Sequence, residues 1–245
     1  MLFRDISAPV ADRAADLLSR LTFDERLAML HQAAPAIERL GVAEYRTGCE
    51  ALHGAAWLGT ATVFPQPVGL AATWDTDLIE RVGDVASTEV RAKRAENPLV
   101  SLNVWAPVVN TLRHPGWGRN EEGYSEDPHL TAAFGTAYAR GLRGRHERVW
   151  KTVPALKHFL AYSNETDRSA TSSNMSLRTL HEEELPAFRG PIESEAAGSI
   201  MLAYNQVNGT PAHTQPELTD EARSWAPGSL AIVSDAGAPT FVVSV

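Results

Sequence analysis

The sequence predicts an α/β fold with parallel strands, arranged as a (β/α)8, TIM-barrel-like domain that is incomplete at its C-terminal end. Short apolar runs rich in β-branched residues alternate with amphipathic helical segments along the whole chain, which is the pattern of a parallel sheet. Several of these runs end in polar residues. This is typical of barrel strands, whose following loops meet at the C-terminal face of the barrel. We count about five or six strand-like segments, fewer than the eight of a closed barrel.

The N-terminal third of the chain is predicted to be mainly helical. Residues 9–30 carry one apolar face, and Thr22 and Glu25 have the spacing of a capping box that starts a second helix. After a proline-rich break at residues 64–67, a helix is predicted over about residues 73–94. Its apolar stripe is expected to run through Trp74, Leu78, Val82 and Val85.

Strands and helices then alternate to the end of the chain. Strands are predicted at residues 100–109, 153–156, 200–204 and 230–233. Helices are predicted from Pro128, with Asp127 as its N-cap, to just before Gly144, and at about residues 177–188 and 218–225. We find no linker or repeat, so residues 1–245 are treated as one domain. A doubly wound sheet would need a Gly-x-Gly-x-x-Gly turn, and the sequence has none.

Composition excludes several classes of function. The chain of 245 residues has a net charge of −8 and no basic block, which argues against nucleic acid and anionic membranes as partners. No signal peptide or membrane span is evident, and we expect a cytoplasmic protein. The single cysteine, Cys49, and the lack of His-x-x-x-His spacing argue against a disulfide framework and a metal site, and no cofactor is expected.

Polar residues that follow separate predicted strands form the candidate site. Asp235 comes just after the last strand, Tyr204 after the one before, and Lys157 and His158 after another, while Arg119 follows residues 100–109. In a barrel these points converge. Cationic and hydroxyl donors around one ionised carboxylate suit an aspartate that attacks the anomeric carbon of a sugar.

Two further features complete this interpretation. Glu50 adds an acceptor for sugar hydroxyls, and Trp57, Trp74 or Trp117 offers a flat apolar surface for a sugar ring. Tyr204 is expected to donate to Asp235 and to orient it. No Gly-x-Ser-x-Gly elbow is present, so a serine triad does not fit.

The chain resembles glycoside hydrolase family 3, the β-glucosidase and β-xylosidase group, from about residue 9 to residue 238. Eight separated motifs carry the likeness in the family's order: Leu-Thr-Phe-Asp-Glu-Arg at 21–26, Glu-Ala-Leu-His-Gly at 50–54, Phe-Pro-Gln at 64–66, Trp-Gly-Arg-Asn-Glu at 117–121, Tyr-Ser-Glu-Asp-Pro at 124–128, Lys-His-Phe at 157–159, Met-Leu-Ala-Tyr-Asn at 201–205 and Val-Ser-Asp-Ala-Gly-Ala at 233–238.

The resemblance implies retaining hydrolysis of a β-linked oligosaccharide or aryl glycoside. Asp235 matches the family's nucleophile. Arg119, Lys157, His158 and Tyr204 match residues that hold the sugar at the cleavage subsite. Glu50 stands where the family places a carboxylate that grips distal ring hydroxyls. The family's glucosidases usually have Asp there, and Glu is closer to its xylosidases, so glucose and xylose both stay open.

The chain also departs from the family pattern. Ala236 replaces a tryptophan that many members carry after the nucleophile, and the loop after Lys157 lacks the hexosaminidase sequence. The resemblance implies that the second carboxyl group, the general acid, comes from a domain that follows this one in the family. We therefore expect a truncated member whose open barrel edge allows oligomerisation. An in-chain acid would be Glu121, Glu122 or Glu165.

Two other functions compete with the glycosidase interpretation. One is a sugar-binding remnant without catalysis, which would bind sugar and form no covalent adduct on Asp235. The other is a Schiff-base aldolase or lyase that uses Lys157, which borohydride trapping of a carbonyl substrate would reveal.

Overall fold

The computed structural model describes residues 1–147 and 149–242, and the chain divides into two compact units, Met1–Gly48 and Cys49–Val245. In the first unit, helices α1 (Val10–Arg20) and α2 (Phe23–Ala28) precede two short antiparallel strands, β1 (Ala33–Ala34) and β2 (Tyr45–Arg46). Both hydrogen bonds of the predicted capping box form, between Thr22 and Glu25. The prediction of two helices within residues 9–30 is confirmed.

The second unit contains the remaining regular elements. Its helices are α3 (Pro67–Ala71), α4 (Thr76–Glu96), α5 (Pro128–Arg143), α6 (Leu177–Thr179), α7 (Leu185–Glu193), α8 (Pro216–Ser224) and α9 (Pro239–Val242), with a π-helical turn, Leu180–Glu184, joining α6 to α7. Its strands are β3 (Asn103–Val104), β4 (Val153–Phe159), β5 (Ser172–Ser173), β6 (Ser199–Leu202), β7 (Gln206–Val207), β8 (Thr210–Pro211) and β9 (Ala231–Ser234).

Four of these strands form a parallel sheet that corresponds to half of a barrel. The order of the strands in the sheet is β3-β4-β6-β9, which is also their order along the chain, and a long connection joins each strand to the next. Helices α4, α5 and α7 pack in succession. Parallel strands share one carboxyl edge, and the loops that leave that edge carry the candidate site.

The predicted strand at 100–109 is regular only at β3, which is shorter than expected. The chain nevertheless stays beside β4, because Val109 N donates to Lys157 O at 2.9 Å and Lys157 N donates to Pro107 O at 3.0 Å. Pro107 has no N–H to give to a ladder, which accounts for the interruption.

The predicted stripe on helix α4 is confirmed only in part. Val82 is buried and Leu78 is half-buried, whereas Val85 is 40% exposed and Trp74, which precedes the helix, is 72% exposed. The buried residues are Ile79, Val82, Gly83, Ala86, Ser87 and Val90. Where α4 approaches the backbone of α5, these residues are the small ones, Gly83 and Ser87. A Cβ placed on Gly83 would lie 2.4 Å from the carbonyl oxygen of Tyr138. In the described part of the chain, no helix has both the length and the apolar character needed to cross a membrane.

Candidate active site

The carboxyl edge of the sheet brings the predicted site residues together. Lys157 and His158 are consecutive residues near the end of β4, and Asp235 directly follows β9. Adjacent residues in a regular strand point to opposite faces. Here the pairing of β4 with β6 shifts register between Leu156 and Phe159, and both side chains contact residues of the site.

Lys157 forms a buried ion pair with Glu50. Its Nζ lies 2.7 Å from Glu50 Oε2, and the two side chains are 5% and 20% exposed. The two residues are 107 positions apart in the sequence. The pair commits the lysine ammonium to a carboxylate, whereas a Schiff-base lysine needs a free neutral amine. The contact therefore argues against the aldolase alternative.

His158 is held by Asn110 beside Asp235. The backbone N–H of His158 donates to Asn110 Oδ1 at 2.7 Å, and Asn110 Nδ2 donates to His158 O at 2.9 Å. The imidazole Nδ1 is 3.3 Å from the same Oδ1. An amide oxygen only accepts, so this contact assigns the ring proton to Nδ1 in the neutral imidazole.

Electrostatics keep this imidazole neutral. Burial, followed by the positive charges of Arg119, Lys157 and Arg168, holds the pKa of His158 well below its usual range. Its Nε2 lies 3.9 Å from Asp235 Oδ2, which is too long for a hydrogen bond. His158 therefore lies beside Asp235 without forming a hydrogen bond to its Oδ2.

Asp235 presents one free carboxylate oxygen inside the site. The residue is 9% exposed, and Oδ1 accepts from the N–H of Ala236 at 2.7 Å. Oδ2 is buried, and no described residue donates a hydrogen bond to it. A buried, unpartnered carboxylate oxygen is costly, so its presence indicates a group that is placed to react or to bind a ligand.

Tyr204 supports this aspartate through the next residue. Its hydroxyl donates to the carbonyl oxygen of Ala236, the residue after Asp235, at 2.8 Å, and it also lies close enough to the Asp235 side chain to interact with it. Burial, and then the negative charge of Asp235, raises the pKa of Tyr204 to about 12. The phenol is therefore a neutral hydroxyl at physiological pH.

Arg119 lies on the long loop after β3 and is clamped by a neighbouring carboxylate. Its Nε and Nη2 donate to the two carboxylate oxygens of Glu122 at 2.6 and 2.8 Å. Arg119, Glu50 and Lys157 line one cleft of about 350 Å³, together with Leu52, His53, Gly54, Ala56, Trp57, Gln66, Glu121 and Glu122.

The six predicted residues thus form two adjoining groups. Glu50, Arg119 and Lys157 line the cleft. Asp235 lies beside both Tyr204 and His158, the residue that follows Lys157 in the strand. Asp235 and Tyr204 do not line the cleft itself. The structure places all six at the same edge of the sheet, and their roles stay predictions.

Three residues of the site were not singled out by the sequence analysis. Asn110 fixes His158, and the Tyr162 ring lies 4.9 Å from the His158 ring. The Arg168 guanidinium lies 4.5 Å from the centre of the Tyr204 ring and bonds Tyr162 and Glu165. Asn110 directly follows a predicted strand, and that position could have marked it as a site residue. Tyr162 and Arg168 lie in a polar loop whose sequence gave no indication of a role.

Residues 1–147 and 149–242 contain no group of three His, Cys, Asp or Glu side chains arranged to hold a metal ion. Cys49 is buried, and burial raises the pKa of its thiol to about 12. A protonated, buried thiol is neither a nucleophile nor a metal ligand.

The sequence and the fold both match a known enzyme family. Residues 28–238 match the Glycosyl hydrolase family 3 N terminal domain. The chain therefore belongs to glycosyl hydrolase family 3, as its motifs predicted.

Two relatives of this chain carry β-xylosidase names. A xylan 1,4-beta-xylosidase from Xylanibacter ruminicola is 36% identical over 244 residues, covering 93% of this chain and 28% of the relative. Probable beta-D-xylosidase 7 from Arabidopsis thaliana is 38% identical over 241 residues, covering 89% and 31%. The chain thus spans less than a third of the length of these two curated relatives.

Solved structures confirm the barrel assignment. A GH3 exo-beta-xylosidase (XlnD), in complex with a xylobiose aziridine activity-based probe, superposes with a TM-score of 0.88 at 30% identity, covering 98% of this chain and 33% of that one. DesR, a beta-glucosidase from Streptomyces venezuelae in complex with D-glucose, gives 0.79 at 33% identity, covering 92% and 29%. The four parallel strands described here correspond to part of the family's (β/α)8 domain.

Proposed function

We propose that this chain carries the nucleophile and the sugar-binding side of the cleavage site of a retaining β-glycosidase that acts on β-D-xylosides or β-D-glucosides. Asp235 is the nucleophile. The observation that carries the proposal is its free, buried Oδ2 beside a neutral His158. Membership of the family and the sugar-bound relatives support it.

The proposed reaction begins when Asp235 Oδ2 forms a bond to the anomeric carbon as the glycosidic bond to the leaving oxygen breaks. The product is a glycosyl ester on Asp235, which water then hydrolyses with net retention of configuration. Glu50, Arg119 and Lys157 are proposed to bind ring hydroxyls, since a carboxylate accepts and the two cations donate.

The leaving oxygen needs a proton from a second carboxyl group about 5–5.5 Å from the nucleophile. Glu122 is clamped by Arg119, and Glu165 is bonded to Tyr162 and Arg168. Both carboxylates are engaged in ion pairs with arginines and would have to leave them to reach a leaving oxygen. Of the three in-chain acids considered, only Glu121 has no such partner among the described residues.

This arrangement predicts a dependence on the leaving group. A dinitrophenolate departs without a proton, so a weak or missing acid matters little for its glycosides. We expect measurable release of dinitrophenol from its β-xyloside or β-glucoside and almost none of the sugars of xylobiose or cellobiose. Equal turnover of both substrate types would show that a competent acid is at work.

The decisive experiment is covalent trapping with 2,4-dinitrophenyl 2-deoxy-2-fluoro-β-D-xyloside and the matching glucoside. The fluorine slows hydrolysis of the glycosyl ester, so intact-mass and peptide mass spectrometry should locate an adduct on Asp235. The Asp235→Asn variant should form none. Asp220→Asn, which changes an exposed aspartate paired only with Arg223, should react like the wild type.

Other outcomes decide between the alternatives. An adduct on a different carboxylate would reassign the nucleophile. Saturable sugar binding with no adduct on the wild-type chain would favour the non-catalytic sugar-binding function. The relative rates of the xyloside and the glucoside would identify the preferred ring, for which the names of the relatives favour xylose.

A further inference from the structure

A second cavity opens on the same edge of the sheet and takes no part in the proposed reaction. It has a volume of about 250 Å³ and is lined by Arg113, Trp117, Ala161, Ser173, Asn174, Met175 and Thr179. None of these residues lines the cleft that holds Glu50, Arg119 and Lys157. Trp117 and Arg119 are separated by one glycine, so this short segment forms the boundary between the two cavities.

The wall of this cavity combines an aromatic plate with a fixed cation. Trp117 is partly exposed, and the Arg113 guanidinium lies 5.6 Å from the centre of its ring. Arg113 also forms an ion pair with Glu184, which is only 3% exposed and belongs to the π-helical turn. The buried carboxylate holds the planar donor fork in one orientation beside the indole.

Two oriented donors have no partner among the described residues. Asn174 Oδ1 accepts from Ser172 Oγ at 2.6 Å, which leaves the amide Nδ2 free and aimed by that bond. The indole Nε1–H of Trp117 likewise makes no hydrogen bond to the described residues. Ala161 and Met175, which pack on the core, add an apolar floor.

The charge of the lining selects between ligand classes. Arg113 is the only charged residue of the lining, and Glu184 compensates it. A phosphate or carboxylate ligand would find no net positive charge here. A neutral ring with one apolar face and several hydroxyls matches an indole plate flanked by amide, hydroxyl and guanidinium donors.

We propose that this cavity is an accessory carbohydrate site that binds a neutral pyranose unit of an oligosaccharide against Trp117. Its volume of about 250 Å³ is below the roughly 300–1,000 Å³ of sites for drug-sized ligands, which suits a single sugar unit. The inference goes beyond the proposed function, because binding at Trp117 does not require Asp235 to be a nucleophile.

The test is a titration of the full chain with xylotriose, followed by the 15N-indole resonances of the six tryptophans. The Trp117 resonance, assigned by its loss in Trp117→Phe, should shift saturably with xylotriose and stay unchanged with inorganic phosphate. The shift should persist in the double variant Glu50→Leu with Lys157→Met, which removes both charges of the cleft's ion pair and leaves no buried charge unpaired.

Matched variants separate local effects from misfolding. In the background of that double variant, Trp117→Ala and Asn174→Ala should each raise the Kd for xylotriose, the former at least about tenfold by calorimetry. Trp74→Phe, at a tryptophan that is 72% exposed and lines neither cavity, should leave that Kd unchanged. The Asn174 variant keeps the test valid if Trp117→Ala does not fold.

Three results would overturn the inference: no shift of Trp117 with xylotriose, a shift abolished by the Glu50→Leu, Lys157→Met double variant, or a stronger response to phosphate than to sugar. The fluoroglycoside adduct on Asp235 is scored separately. A failure of the nucleophile assignment and a failure of the accessory site are therefore distinguishable.

Discussion

Removal of Glu50 should destabilise the chain far more than the removal of an exposed partner with the same geometry. In Glu50→Ala the ammonium of Lys157, a residue that is 4% exposed, would remain buried without its carboxylate. Breaking a buried pair in this way costs about 3–5 kcal/mol. Because Glu50 is itself 20% exposed, water reaches part of the site, and we expect about 3 kcal/mol.

The matched control is the ion pair of Lys151 with Asp84. Its Nζ–Oδ1 distance is also 2.7 Å, but the side chains are 29% and 60% exposed. Exposed pairs contribute about 0.2–1 kcal/mol, so Asp84→Ala should change stability little. At an m-value of about 3 kcal/mol/M, the Glu50 variant should unfold at about 1 M less urea than the wild type.

The assay is urea unfolding at pH 7, monitored by circular dichroism and tryptophan fluorescence, at low and at high salt. Salt should weaken the small Asp84 effect and leave the Glu50 effect nearly unchanged, since burial excludes the screening ions. Equal midpoint shifts for the two variants would refute the reasoning, because distance rather than burial would then set the energy.

A double variant distinguishes stability from binding. Replacing both partners with apolar residues, as in Glu50→Leu with Lys157→Met, removes the buried charges together and should recover most of the lost stability. Sugar binding in the cleft should not recover. If the double variant is as unstable as Glu50→Ala, the ion pair itself stabilises the fold. The proposal that Glu50 and Lys157 serve to bind sugar would then lose its main support.

Three further expectations follow from the same structure. Gly83→Ala should cost about 3 kcal/mol because its Cβ would meet a backbone oxygen of α5, while Gly228→Ala, with open space around it, should be nearly neutral in the same urea assay. Thr22→Ala removes the side-chain acceptor of the capping box and should cost about 1 kcal/mol, measured by urea unfolding, with an unchanged midpoint contradicting the cap's contribution. Burial holds the pKa of His158 well below the unfolded value of about 6.5, so the unfolded state binds more protons and stability should fall as pH drops from about 6.5 toward the folded pKa. His158→Gln should reduce the slope of unfolding free energy against pH in this range, and an unchanged slope would contradict a buried, neutral imidazole at His158.

Features governed by local chemistry could be predicted from the sequence. Asp127 caps α5 through the N–H of Leu130, with Pro128 at the first helical position. The last strand ends directly before Asp235 because a short apolar run gives way to a charged residue and small neighbours. Such signals lie within a few residues of the feature that they predict, and a single sequence is enough to find them.

Features that depend on tertiary packing could not be predicted in the same way. The stripe on α4 was predicted correctly at Val82 and wrongly at Val85. It missed Gly83 and Ser87, which are small because the backbone of α5 comes close to them. Hydrophobic periodicity scores large apolar residues and gives glycine little weight. The clamp of Glu122 on Arg119 and the bond from Tyr204 to Ala236 also had no sequence signal.

The register shift in β4 links these two levels. Lys-His is a local motif, but in a regular strand the two side chains would point to opposite faces of the sheet. Lys157 reaches Glu50 and His158 lies 3.9 Å from Asp235 at the point where the pairing of β4 with β6 shifts, between Leu156 and Phe159. One strand thus contributes both to the cleft and to the surroundings of the proposed nucleophile.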